Sequence, residues 1–230
     1  GSFQYDDESL EIQKQSYLLI EEALACLEKT KTLQEQNLCV WTYSEFLAEI
    51  TKHFITLSVT GTNGKSSTTA LAIHAAASST PLMWLGIVWA LMPDYQNENF
   101  RLNQEHLWDI KILFDHMIQW VLPPAEIVKK YLCIIEACEH KEHFLLYDSD
   151  YSIITNIGYD HQDHFESKED YTMAFEKFII KTKKSVIMTK DEVTKQDWSK
   201  KILTTATSKY HFHNVFGDHR QTNASLIEAL

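Results

Sequence analysis

The sequence predicts an α/β fold, a mostly parallel sheet flanked by helices. Compact, β-prone apolar runs alternate with segments of helical period, the pattern of βαβ units. The runs are near-continuously apolar and bounded by turns, as in strands covered on both faces. Polar, chemically capable residues follow three of these runs directly, on the rim where open parallel sheets hold ligands.

Taken in order, residues 1–9 are polar and acidic and read as a frayed end. Tyr17, Ile20, Leu24 and Leu27 recur at helical spacing, so Leu10 to Lys31 is expected to be a helix. Thr42 to Lys52 reads as a second, shorter helix with Phe46, Leu47 and Ile50 inward. The period then changes. Phe54 to Val59 is a buried-strand candidate ending in Thr60-Gly61, and Ser66 to Ala77 a helix rich in Ala, Thr and Leu. Leu82 to Val88 is a further strand. Asn97 to Val121 is expected as one long amphipathic helix, with a stripe of Leu107, Ile110, Phe114, Met117, Ile118 and Val121. Pro123-Pro124 ends it. Strands are expected at Tyr131–Glu136, Tyr151–Asn156, Ser185–Thr189 and Lys209–His213. Helices are expected at Lys168–Lys183, with Tyr171, Phe175, Phe178 and Ile179 on one side, and from Gln221 to Leu230.

Composition narrows the function. The 230 residues carry a net charge of −11 and are 44% hydrophobic, enough to build a packed core. The acidic balance argues against a general nucleic-acid binder, which needs clustered Lys and Arg to neutralise phosphates. Nucleotide binding needs only a few local groups and stays open. Cys26, Cys39, Cys133 and Cys138 are too few for a disulfide framework in a chain of this length. The longest apolar run, Pro81 to Met92, falls short of the roughly 20 residues of a membrane helix. A cytoplasmic protein without a membrane partner is the expectation.

Four clusters carry chemistry. The first is Thr60-Gly61-Thr62-Asn63-Gly64-Lys65-Ser66-Ser67-Thr68-Thr69, between a strand and a helix. Gly61 and Gly64 let the backbone approach a ligand closely. The N–H groups of such a loop and helix start point at an anion. Lys65 supplies charge for β/γ-phosphates and Ser66 a hydroxyl for Mg²⁺. Val59 stands where the first Gly of the full phosphate-loop pattern would be, and an ordinary turn with a surface lysine is the plain alternative.

The second cluster, Glu136-Ala137-Cys138-Glu139, ends a strand on the same rim. Mg²⁺ on a nucleotide takes one or two protein carboxylates. Glu136 is the natural candidate and Glu139 the second. The third, Thr155-Asn156-Ile157-Gly158-Tyr159-Asp160-His161-Gln162-Asp163-His164, crowds Asp and His behind another strand. Such a loop can ligate a metal, position an acid–base group, or be a polar turn with one capping Asp. Cys138, His140 and His143 with His161 and His164 do not have the spacing of a structural zinc site. The fourth, Gly217-Asp218-His219-Arg220-Gln221-Thr222-Asn223-Ala224, offers planar groups beside an Asn for a purine, or simply a helix cap.

In order, the four clusters resemble the ATP-dependent Mur ligases of peptidoglycan synthesis. Within that family the likeness is nearest to the type that joins UDP-N-acetylmuramate and L-alanine (MurC type). Thr60 to Ser66 is similar to the family's phosphate loop, and Ile134 to Leu145 to its E-A-C-E-x-x-x-H-F-L stretch. Tyr151 to His161 is similar to its T-N-I-x-x-D-H segment, and Gly217 to Ala224 to its adenine-side motif. Trp41 to Ile50 is similar to the stretch leading into its ATP domain.

The resemblance spans about residues 38–77 and 129–230 and implies a P-loop-containing central domain. It implies that Gly61, Thr62, Asn63, Gly64, Lys65, Ser66, Ser67 and Asn156 cradle ATP. Lys65 would hold the β/γ-phosphates, and Ser66 and Glu136 the nucleotide's Mg²⁺. His161, oriented by Asp160, would hold a second cation. His219, Arg220 and Asn223 would hold adenine, with Arg220 standing where the motif has Asn. The implied reaction phosphorylates the acceptor carboxylate, and the amine of L-alanine then displaces phosphate.

Residues 1–40 would stand in place of the UDP-sugar domain, 41–230 would be the ATP domain, and 78–128 would be a helical insertion. A C-terminal ligase domain is not expected within the chain, so the expectation is nucleotide binding without turnover by these residues alone. Another amide ligase of the Mur or folylpolyglutamate type, and a non-catalytic nucleotide-binding module, are the competing readings.

Overall fold

The computed structural model describes residues 18–20, 40–79, 84–92, 98–102, 111–112, 115–116, 128, 130–194, 203–206 and 226–227. Two short strands, β1 (Leu18–Ile20) and β2 (Val40–Thr42), pair in parallel. Helix α1 (Tyr43–His53) starts from a capping box. The Thr42 hydroxyl accepts from the Glu45 N–H at 3.3 Å, and the Glu45 carboxylate accepts from the Thr42 N–H at 2.8 Å. Then follow β3 (Ile55–Thr60), α2 (Lys65–Ser79), β4 (Trp84–Met92), β5 (Glu98–Leu102) and β6 (Leu132–Glu136). A 3₁₀ segment (His140–Leu146), β7 (Tyr151–Ile154), α3 (Lys168–Lys181), β8 (Ser185–Thr189), α4 (Lys190–Thr194) and β9 (Leu203–Ala206) complete the order.

Seven strands form one sheet in the order β5-β4-β6-β3-β7-β8-β9, parallel throughout except at β5. The chain enters the sheet at its middle strand, β3, lays β4 and β5 to one side, inserts β6 between β3 and β4, and then adds β7, β8 and β9 outward on the other side. That places the carboxyl ends of β6, β3 and β7 side by side, with Val59 opposite Glu136 and Thr60 opposite Ile154.

Each face of the sheet carries its own core. On one face Leu57, Val59, Ile134, Ile153 and Ile187 pack against Ala72, Ile73 and Ala76 of α2 and against Leu226. On the other, Cys133, Ile135 and Ile154 pack with α1 and with Phe144, Tyr171, Phe175 and Phe178. Alternation along β6 sends Ile134 to one core and its two neighbours to the other. On β3 the alternate positions Thr56, Ser58 and Thr60 are buried yet polar. Two of them are tied across the chain: the Thr56 hydroxyl donates to Thr51 O at 3.0 Å and Ser58 Oγ meets Ser149 Oγ at 2.6 Å.

Two expected helices are corrected. Leu18–Ile20, inside the helix expected from Leu10 to Lys31, is a strand. Its run Leu18-Leu19-Ile20 serves either period, and parallel pairing with Val40–Thr42 decides it. Glu98–Leu102, the start of the helix expected to Val121, is a strand antiparallel to β4. The apolar stripe begins only at Leu107, so periodicity never supported helix before it, and pairing satisfies the edge of β4 instead. Residues 111–112 and 115–116 are helical, as expected; the rest of that stripe lies outside the described residues. So do the strand expected at Lys209–His213 and most of the final helix, of which residues 226–227 are helical. Strands β2 and β9, the 3₁₀ segment and α4 had no counterpart among the expectations. Among the described residues no helix is long and apolar enough to cross a membrane.

Phe144 is fully buried, stacked on Phe178 at 4.8 Å between ring centroids and edge-on to Phe175 at 5.2 Å. Phe144→Ala is expected to lower unfolding stability by about 3–5 kcal/mol in urea melts, the range for large-to-small core changes. Burial also pushes the phenols of Tyr147 and Tyr171 well above their ordinary 10.0. A folded-state value raised in this way favours the fold fully below the unfolded value and is lost as pH climbs past it. Thermal stability should therefore fall as pH rises beyond about 10, and Tyr147→Phe should blunt that fall.

Candidate functional site

The loop between β3 and α2 is shaped by its glycines. Gly61 has φ +131°, and a Cβ there would lie 2.2 Å from Thr155 Oγ1 and 2.8 Å from the Asn156 carbonyl. Gly64 has φ 85° and turns the chain into α2. The close approach at Gly61 allows a lattice between this loop and the end of β7. Thr62 N–H donates to Asn156 O at 3.0 Å. Asn63 N–H donates to Asn156 Oδ1 at 3.1 Å, and Asn156 Nδ2 donates back to Asn63 O at 2.7 Å. Thr155 Oγ1 also donates to Asn63 O, at 2.6 Å. Thr62 Oγ1 accepts from Gly158 N–H at 2.8 Å and meets Tyr171 Oη at 2.8 Å.

The charged centre lies beside this loop. Lys65 Nζ donates to Gly61 O at 2.7 Å and Thr62 O at 3.2 Å, and stands 3.1 Å from both oxygens of Glu139. Glu139 is 0% exposed. Its Oε1 also has Tyr171 Oη and His161 Nε2 at 3.4 Å each, whereas Oε2 receives no directed hydrogen bond among the described residues. At the next residue, Ser66 Oγ donates to Glu136 Oε1 at 2.8 Å. The other oxygen of Glu136 accepts from Trp89 N–H at 2.8 Å, and the Trp89 indole donates to Glu136 O at 3.0 Å. Burial raises the Cys138 thiol above its usual value.

The structure thus gathers Gly61, Thr62, Asn63, Gly64, Lys65, Ser66, Glu136, Glu139, Asn156 and His161 on one rim. Ser67 is exposed on the first turn of α2. Asp160 holds His161 through the main chain, its Oδ1 accepting from His161 N–H at 2.8 Å. His161 has φ 53°, a left-handed conformation that few non-glycine residues adopt. His219, Arg220 and Asn223 lie outside the described residues. Sequence reasoning missed Trp89, whose part is partly main-chain and carries no residue signature. It read Tyr171 only as a core position on a helix face; Thr62 and Glu139, which it meets, are 109 and 32 residues away.

The oxygens present fit a hard cation beside a phosphate. Ser66 Oγ and Glu136 Oε1 are adjacent, a hydroxyl and a carboxylate of the kind that Mg²⁺ accepts. The first-turn N–H groups of the 15-residue helix α2 have no intrahelical partners to satisfy, which suits an anion.

A parallel sheet whose middle strand runs through a glycine-bounded loop and a lysine into a helix defines an α/β domain of phosphate-loop type. Residues 59–227 match the Mur ligase middle domain, and the chain belongs to that family. Solved structures share the fold. The UDP-N-acetylmuramate:L-alanyl-gamma-D-glutamyl-meso-diaminopimelate ligase of Neisseria meningitides superposes with a TM-score of 0.66 at 15% identity, over 97% of this chain and 75% of that one. The MurF ligase of Thermotoga maritima, solved with ADP, gives 0.57 at 8% identity over 97% and 63%. The UDP-N-acetylmuramate-alanine ligase MurC of the same organism gives 0.53 at 18% identity, over 76% of this chain and 35% of that one. The chain therefore spans about a third to three-quarters of these ligases.

Gly61→Ala is expected to unfold or loosen the loop. Its φ is hostile to a side chain and its Cβ would collide with Thr155 and Asn156. Hydrogen exchange of the Thr62 and Asn63 amides should rise by an order of magnitude or more, as expected where backbone strain of roughly 1–3 kcal/mol is introduced.

Proposed function

We propose that this chain is the nucleotide-binding domain of an ATP-dependent amide ligase of the Mur type, whose complete reaction joins L-alanine to UDP-N-acetylmuramate. One observation carries the reading. The loop lysine is already aimed across its own loop, clamped by two loop carbonyls and by a buried carboxylate from the neighbouring strand end. A phosphate group arriving at the loop meets the open end of a helix and a positioned ammonium group, and takes over an N–H that the loop carbonyls hold in its absence.

On this reading Lys65 binds the β/γ-phosphates, and Ser66 with Glu136 would hold Mg²⁺. Mg²⁺ supplies charge neutralisation of the phosphate oxygens. Trp89 fixes Glu136 by donating to its second carboxylate oxygen and to its carbonyl. His161 stands by Glu139 to meet a second cation or the γ-phosphate. The acceptor carboxylate takes the γ-phosphoryl group as ADP leaves. The amine nitrogen then attacks the acyl carbon, an amide forms and phosphate departs. What favours the alanine-adding type is the Glu136-Ala137-Cys138-Glu139 stretch, with both carboxylates on the loop side of β6.

The test is a thermal-shift titration with Mg²⁺-ATP, ADP and UDP-N-acetylmuramate. At 100 times its Kd, ATP should stabilise the wild-type chain by about 2.7 kcal/mol. Lys65→Ala leaves Glu139 without its cation and is expected to melt lower even without ligand. Each variant is therefore compared with its own unliganded melt, and Lys65→Met serves as a second, better-packed variant. ATP-dependent stabilisation should fall at least tenfold in apparent affinity for both. An equal shift in wild type and both variants sinks the proposal.

A further inference from the structure

We infer that His140, His161 and Asp163 form a binding site for a borderline divalent transition metal such as zinc. The further consequence, that filling this site draws His161 away from the pocket, rests on the nucleotide-site reading above.

The three residues each offer a ligand atom, and these atoms lie within 4.8 Å of one another. His140 Nε2 and Asp163 Oδ2 are already 3.2 Å apart. Metal–nitrogen and metal–oxygen bonds near 2.1 Å give a tetrahedral edge of about 3.4 Å, so no pair needs to close by more than about 1.4 Å. The rings are already ordered: His140 stacks on His161 at 4.7 Å between centroids and 21° between planes, and His164 stands edge-on to His140 at 6.1 Å.

The donor chemistry selects the ion. Two imidazoles and one carboxylate suit zinc and its neighbours, whereas Mg²⁺ prefers an all-oxygen shell. Three protein ligands leave a fourth position open. A second trio, Cys138, Glu139 and His161, also falls within ligand distance. It is the weaker candidate because Glu139 already has the Lys65 ammonium group against both oxygens. In the His140 trio, by contrast, Asp163 is exposed and faces the His140 ring at 3.2 Å rather than a lysine. His161 belongs to both trios, so an ion held by His140 and Asp163 competes with Glu139 for its ring. Sequence spacing hid the site because His140 and Asp163 come from two loops, 23 residues apart.

The test uses the whole chain, stripped by a chelator and titrated with Zn²⁺ by calorimetry, and with Co²⁺ by visible absorption, in the absence of nucleotide. One equivalent should bind saturably, with the Co²⁺ bands of a tetrahedral site. His140→Gln and Asp163→Asn should each weaken binding at least tenfold while melting as wild type does without metal. The chain has 11 histidines, so binding that both variants leave unchanged belongs elsewhere and overturns the inference, as does the absence of saturable binding. Zn²⁺ should also reduce the Mg²⁺-ATP thermal shift of wild type and not of His140→Gln; equal reduction in both overturns the coupling. If ATP produces no shift at all, the nucleotide reading fails, and the zinc titration still decides the site.

Discussion

Glu139 is the constraint on which the rim depends. A carboxylate with no exposed surface is costly to bury and persists only where charge and hydrogen bonds answer it. Here the answers come from three separate pieces of chain: Lys65 from the first turn of α2, Tyr171 from α3 and His161 from the loop behind β7. The Tyr171 phenol, whose ionisation burial pushes to higher pH, donates to Glu139 Oε1 at 3.4 Å. One charge thus sets the distance between the phosphate loop, the Glu136–Glu139 turn and the Asp–His loop.

The sheet supplies the precision for this arrangement. β6, β3 and β7 are adjacent and parallel, so their loops leave from one edge with registers fixed by ladder pairs, Val59 with Glu136 and Thr60 with Ile154. Asn156 and Thr155 then fasten the phosphate loop to the end of β7 through main-chain partners that any change of loop shape would break. The rule that ligands of open parallel sheets sit at carboxyl ends has this physical content here: adjacent strand ends bring groups far apart in sequence to hydrogen-bonding distance.

Much of this was legible in the sequence. The run from Ile55 to Ser79 was readable because a compact β-prone apolar run ends in a glycine-bounded turn and a segment rich in Ala, Thr and Leu follows, and both signals are local. Glu136 and Asn156 were readable because they follow apolar strands. What was illegible depends on distant partners. β5 was taken for helix because nothing within Glu98–Leu102 reveals that β4 has a free edge to fill. Trp89 acts partly through its backbone N–H, which every residue but proline has. Tyr171 sits in an aromatic stripe where the core reading was correct, since it packs with Phe175 and Phe165, but incomplete, since its hydroxyl reaches Thr62.

The backbone strain points to the same place. Lys141, Glu142 and His161, with φ of 52°, 57° and 53°, are the non-glycine residues of positive φ among those described, and all flank Glu139. Each such residue costs roughly 1–3 kcal/mol and survives only where its surroundings over-determine it. The surroundings are aromatic. Past the strained pair at 141–142, Phe144 donates its N–H to Cys138 O at 2.9 Å and drives its ring between Phe175 and Phe178. Past His161, Phe165 donates its N–H to His161 O at 2.9 Å and lies edge-on to Tyr171 at 5.0 Å. The rings that build the core on this face of the sheet therefore also hold His140 and His161 in place. A cavity opened under either turn would be felt first as lost geometry around Glu139, before the fold as a whole gave way.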